Sequence, residues 1–144
     1  MIPLPLRTLI FLAGLGQIVL ALASLAIPRV LRWAEETAKL RPLLRQMFWT
    51  YGAYIWCTNL AFGLVSALAP DWLLDRSPLA AAVTGFIALY WGARVVIQFA
   101  YFDRSDAPPG AHVRLAEAGL VALFVYLTFV YALASAANLR GAAG

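Results

Sequence analysis

The sequence predicts an all-α integral membrane protein, a bundle of four transmembrane helices with an amphipathic cytoplasmic connector between helices one and two, forming one domain over residues 1–144. Three observations carry this expectation. First, 63% of the residues are hydrophobic and 12% charged, with a mean hydropathy of +0.79, whereas soluble domains are about half apolar and about a quarter charged. Second, the chain contains four nearly uncharged runs of the ~20 residues that cross ~30 Å of hydrocarbon at ~1.5 Å per residue, too many to hide in a core this small. Third, the basic residues cluster at the ends of those runs, where they set topology and meet headgroups.

The first run, about 8–27, lies between Arg7 and Arg29. Its Ala21-Leu22-Ala23 triplet resembles a signal-peptide cleavage site, but the apolar run exceeds a usual signal core and is read as a retained span. The second, about 46–69, is closed by Pro70 and Asp71. The third, about 79–102, follows Ser77-Pro78, a fitting N-cap and first-turn proline, and is interrupted only by Arg94. The fourth, about 115–138, follows Arg114 and carries Glu117 in its first turn.

Between the first two spans, Val30, Leu31, Trp33, Ala34, Ala38 and Leu40 alternate with Arg32, Glu35, Glu36, Lys39 and Arg41. This pattern suits a short helix in the headgroup region, serving as a connector or as a platform for anionic lipid or a partner. The loops 28–45 and 103–114 hold seven basic residues (Arg29, Arg32, Lys39, Arg41, Arg45, Arg104, Arg114) against Arg7, Arg76 and Arg140 on the other side. Positive charge is retained inside, so those loops are expected in the cytoplasm and both termini outside, in a bacterial inner membrane.

Counting excludes several functions. A single cysteine, Cys57, permits no internal disulfide, and a single histidine, His112, supplies neither paired haem ligands nor a metal cluster, so no metal site and no intrinsic cofactor are expected. The net charge of +4 does not indicate nucleic acid, because the basic residues flank apolar runs. No glycine-rich phosphate loop is present, and Asp71, Asp75, Asp103 and Asp106 read as loop caps.

Polar residues inside spans are costly and usually face a bundle interior or a cavity. Gln17, Asn59, Tyr90 and Tyr126, one per span, lie roughly 16–20 Å from the cytoplasmic helix ends and predict a polar layer near the midplane. Arg94, Tyr54, Tyr51 and Gln98 follow toward the cytoplasm. A charge as deep as Arg94 costs about 2.5–3.5 kcal/mol, so it needs compensation. An ion pair between Arg94 and Glu117 would lock the last two spans. Alternatively, Arg94 lines a cavity and anchors an anionic or quinone-like ligand with Gln98, Tyr90, Tyr54, Tyr51, Asn59, Gln17 and Tyr126 around it, or it snorkels to the headgroups. Stripes of small residues (Gly14, Ala21 and Ser24; Gly52, Gly63 and Ser66; Ala81, Gly85, Ala88 and Gly92) mark helix contact faces.

The expected function is that of a non-catalytic integral membrane component. It would be a structural or accessory subunit of a membrane complex, or a homo-oligomer, embedded in the lipid bilayer and holding lipid. The alternative is a membrane binding or transport protein with Arg94 as anchor for an anionic lipid or quinone-like molecule. An enzyme acting on lipid through tyrosine and arginine is the weakest of the three.

Overall fold

The computed structural model describes residues 5–143 and is 83% helix, with no strand among the described residues. In order, the elements are α1 (Leu6–Ser24), α2 (Ile27–Val30), α3 (Trp33–Ala38), α4 (Pro42–Leu68), a 3₁₀ turn (Pro70–Leu73), α5 (Pro78–Ala100) and α6 (Ala111–Ala142). Prolines open α4, the 3₁₀ turn and α5, where a missing N–H costs nothing. Ser77 caps α5, its Oγ accepting from the Ala80 N–H at 3.0 Å.

Three helical stretches, Leu6–Val30, Pro78–Ala100 and Ala111–Ala142, are long and apolar enough to cross a membrane. At 27 residues α4 has the length but is less apolar, carrying Arg45, Gln46, Thr50, Thr58, Asn59 and Ser66 among its tryptophans and tyrosines. Three of the four expected spans therefore have the required hydropathy. Two helices also outrun their expected limits: α4 starts at Pro42 rather than 46, and α6 covers Ala111–Ala142 rather than 115–138. Arg45, Arg114 and Arg140 end the apolar runs, yet arginine is a good helix former and does not end the helix.

The connector is two short helices rather than one, broken at Arg32, whose φ of 53° lies in the left-handed region. Beyond the break, α3 folds back on the start of α4. Thr37, buried, accepts from Trp49 Nε1 at 3.2 Å and donates to the Trp33 carbonyl at 2.6 Å. Trp33 meets Phe48 and Trp49 edge-on, with ring centroids at 4.9 and 5.8 Å.

The long helices pair as α1 with α4 and α5 with α6, and α1 also packs against α6. Small residues set both pair distances, as their spacing predicts. A Cβ at Gly14 would lie 2.5 Å from the Ala67 nitrogen and 2.8 Å from the Gly63 oxygen, so the α1 and α4 backbones touch there. Between α5 and α6, a Cβ at Gly85 would lie 3.1 Å from Ser135 Oγ, and one at Gly92 would lie 3.4 Å from Thr128 Cγ2. Ile10 and Ala13 of α1, Ile87 and Trp91 of α5, and Phe124, Leu127 and Ala134 of α6 fill the core.

This packing makes two glycines opposite in effect. Gly14→Ala drives a methyl into backbone that has no rotamer to yield, and thermal unfolding in detergent should show a loss of about 1–3 kcal/mol. Gly119→Ala meets nothing within 4 Å and should stabilise α6 by about 0.5–1 kcal/mol in the same assay.

Candidate functional site

One side chain from each long helix meets in a buried hydrogen-bonded knot. Gln17 Nε2 of α1 donates to Tyr131 Oη of α6 at 2.6 Å and also reaches the carbonyl of Ala13, one turn back, at 3.2 Å. Trp91 Nε1 of α5 donates to Gln17 Oε1 at 3.0 Å. Ser66 Oγ of α4 lies 2.5 Å from Tyr131 Oη. Because that phenolic oxygen already accepts from Gln17, its own proton is free to go to Ser66. Gln17, Ser66 and Tyr131 are each 0% exposed. The knot is polar throughout, yet it contains no carboxylate, imidazole or amine.

A second polar chain lies toward the connector end. Arg94 Nη1 donates to Gln98 Oε1 at 3.0 Å, and Gln98 Nε2 donates to Glu117 Oε1 at 2.8 Å. The other oxygen of Glu117 is paired with Arg104 on the α5–α6 loop. The direct Arg94 to Glu117 ion pair expected from the sequence is therefore not formed. Gln98 stands one turn closer to Glu117 than Arg94 does, and an amide bridges the two because it both accepts and donates. Arg104, on the loop that leads into α6, takes the carboxylate oxygen that remains. The Arg94 guanidinium is further covered by the rings of Phe102 and Phe124, 4.9 and 5.1 Å from their centroids.

The other expected ligand residues separate into unconnected places. Tyr90 donates to Asn59 Oδ1 at 2.7 Å, which ties α5 to α4 beside Phe62. Tyr126 donates to the Leu9 carbonyl at 2.9 Å. Tyr51 and Tyr54 are 55% and 66% exposed on α4, and the Arg94 hydrogen bond goes to Gln98 rather than to either. The single midplane layer is thus replaced by two clusters, Gln17 with Trp91, Ser66 and Tyr131, and Asn59 with Tyr90. Arg94 lines neither the cleft at Leu74, Arg76 and Arg140 nor the one at Arg104, Arg114 and Glu117. Among the described residues no group of histidine, cysteine or carboxylate side chains could hold a metal ion.

At the opposite end, Asn138 of α6 is 1% exposed and holds the α4–α5 connection. Its Nδ2 donates to the Leu73 carbonyl at 2.8 Å and its Oδ1 accepts from the Arg76 N–H at 3.1 Å. Arg7 grips Asp71 with two hydrogen bonds, Nε to Oδ1 at 2.9 Å and Nη2 to Oδ2 at 3.2 Å. Those bonds hold the exposed Asp71 carboxyl below its usual range. Tyr131 and Asn138 are the residues that sequence reasoning passes over. Their signal is a seven-residue spacing from Phe124, which keeps all three on one face of α6.

No family model, curated protein or solved structure matches this chain.

The geometry sets two expectations. Tyr131→Phe removes the hydroxyl shared by Gln17 and Ser66 and should cost about 1–3 kcal/mol in reversible unfolding. In a double-mutant cycle, Ser66→Ala should then cost less than it does alone, with a coupling of about 0.6–1.7 kcal/mol. The depressed Asp71 carboxyl adds stability that is complete above the ordinary carboxyl value of about 4 and is lost as pH falls through the lower folded value. Amide protection factors over residues 69–77 should fall in that acid window, and Asp71→Asn should abolish the dependence.

Proposed function

We propose that this chain is a small, non-catalytic integral membrane protein whose four long helices all cross the bilayer, acting as a structural or accessory subunit of a membrane complex or as a homo-oligomer. The observation that carries the reading is how its polar groups are distributed. Among the described residues, every buried side-chain nitrogen and oxygen has a hydrogen-bond partner, so the interior consumes its own polarity. A run of uncommitted groups lies at the start of α4, where every residue from Arg41 to Tyr51 is exposed, including Arg45, Gln46, Thr50 and Tyr51, with Tyr54 one turn further on. Polar groups on a helix in hydrocarbon favour association with another helix that can hydrogen-bond them.

Two features support the crossing of α4. Its 27 residues extend ~40 Å, more than the hydrocarbon needs. Its tryptophans and tyrosines depress hydropathy scores although they are favoured at membrane interfaces. On this reading the connector end, with seven of the basic residues, faces the cytoplasm of a bacterial cell, and both chain ends face out.

A second reading keeps Arg94 as an anchor for an anionic lipid or a quinone-like molecule. Charge supports it: Arg104 pairs with Glu117 directly, whereas Arg94 reaches that carboxylate only through the neutral Gln98 amide, which leaves its positive charge without an ion-pair partner among the described residues.

Both parts are testable. In a Cys57→Ser background, Glu36→Cys and Ser105→Cys should react with a membrane-impermeant thiol reagent from one face and Asp75→Cys from the other. Reaction of Glu36→Cys and Asp75→Cys from the same face would exclude a crossing α4. Native mass spectrometry of the protein drawn from its own membrane in mild detergent should show a stoichiometric companion or several copies. A lone chain carrying one anionic or quinone-like molecule, lost in Arg94→Gln, would move the assignment to the second reading.

A further inference from the structure

At the end of the molecule remote from the connector, a cleft of about 490 Å³ opens between the start of α1, the α4–α5 connection and the last turns of α6. Leu6 and Leu74 give it apolar lining, Arg76 and Arg140 line it as cationic residues, and no carboxylate among the described residues does. Neither guanidinium makes a hydrogen bond or ion pair with a described side chain or carbonyl. The described side-chain carboxylates of this end make their bonds elsewhere. Asp71 is held by Arg7, and Asp75 Oδ1 accepts from the Ser77 N–H at 2.9 Å.

The position of Arg76 is built rather than incidental. Its φ of 62° is left-handed, a conformation that costs a residue with a Cβ roughly 1–2 kcal/mol. Buried Asn138 holds it there through the Arg76 N–H and the Leu73 carbonyl. Gly141 completes the seat: a Cβ there would lie 2.7 Å from the Cβ, Cγ and Cδ atoms of Arg76, so the arginine stem lies directly on the α6 backbone. The carbonyl end of α6 offers only about half a negative charge, too little to neutralise two guanidiniums.

We propose that this cleft is a binding site for a phosphate group, with Arg76 and Arg140 as its cationic clamp and Leu6 and Leu74 receiving an apolar tail attached to the phosphate. Two guanidinium forks need more acceptor oxygens than one carboxylate provides, and a phosphate has them. The phosphate belongs either to an anionic lipid headgroup or to a soluble phosphate ester.

The test uses the full-length protein, delipidated in a neutral detergent and titrated with phosphatidylglycerol, with phosphatidylcholine and with inorganic phosphate, followed by native mass spectrometry and calorimetry. The variant is the double substitution Arg76→Gly with Arg140→Gln, in which glycine keeps the left-handed backbone, and an unchanged unfolding midpoint confirms that the fold survives. The expected result is that the tightest phosphatidylglycerol binding weakens about tenfold in the variant, whereas phosphatidylcholine binding does not change. Gly141→Ala, which lifts the Arg76 stem, should weaken it as well. Saturable binding of inorganic phosphate that the variant loses would support the site and assign it to a soluble ester. Phosphatidylglycerol binding unaltered in the variant, together with no binding of inorganic phosphate, would overturn the proposal.

Discussion

A single phenolic oxygen sets the arrangement of the long helices. Tyr131 Oη takes a hydrogen from Gln17 and shares one with Ser66, while Gln17 in turn receives Trp91, so α1, α4, α5 and α6 are fixed against one another at one level. Gln17 and Ser66 reach one hydroxyl only if α1 and α4 nearly touch, and Gly14 and Gly63 permit that approach. Trp91 lies flat on Phe124, with centroids 5.3 Å apart and an interplanar angle of 17°, which carries the same alignment into the α5–α6 pair. Hydrogen bonds between membrane helices average about 0.6 kcal/mol and reach about 1.7, so three of them contribute roughly 2–5 kcal/mol. Their larger effect is on specificity. A register slip of one residue in any helix strands a buried polar atom, at about 1–3 kcal/mol each.

The chain from Arg94 to Arg104 works differently. A neutral amide separates the deep cation from the carboxylate, and aromatic faces cover what the amide does not. This satisfies Arg94 without moving Glu117 away from the loop, where its pairing with Arg104 ties the α5–α6 connection to the second turn of α6. The two ends of the molecule thus use different fasteners. One is a charged relay around Glu117, and the other is the amide clamp of Asn138 beside the Arg7 to Asp71 pair.

Much of this was legible in the sequence, for reasons that differ by element. The helices were readable from uncharged runs and proline starts, but their ends were not, because charge ends an apolar run without ending a helix, as Arg45 and Arg140 show. The small residues Gly14, Gly63, Gly85 and Gly92 were readable as contact faces because close backbone approach has few solutions. Counting residues along an axis reports depth but not rotation about it. That is why Gln17 and Tyr90, alike in depth, belong to different clusters, and why exposed Tyr51 and Tyr54 were grouped with Arg94. Tyr131 was invisible as a centre because an aromatic residue in an apolar run looks the same whether it packs or bonds.

The knot also places a demand on time. Gln17 and its partner Tyr131 are 114 positions apart, so a chain emerging from the ribosome exposes the amide long before the phenol exists. At about 5–20 residues per second the interval is roughly 6–23 s. Throughout it, the bond from Gln17 Nε2 back to the Ala13 carbonyl within the same helix is the only one of its contacts available from the start. The later-translated α6 therefore completes α1, and a nascent chain stopped before α6 would leave Gln17 without its phenol and Ser66 without the side-chain partner it has among the described residues.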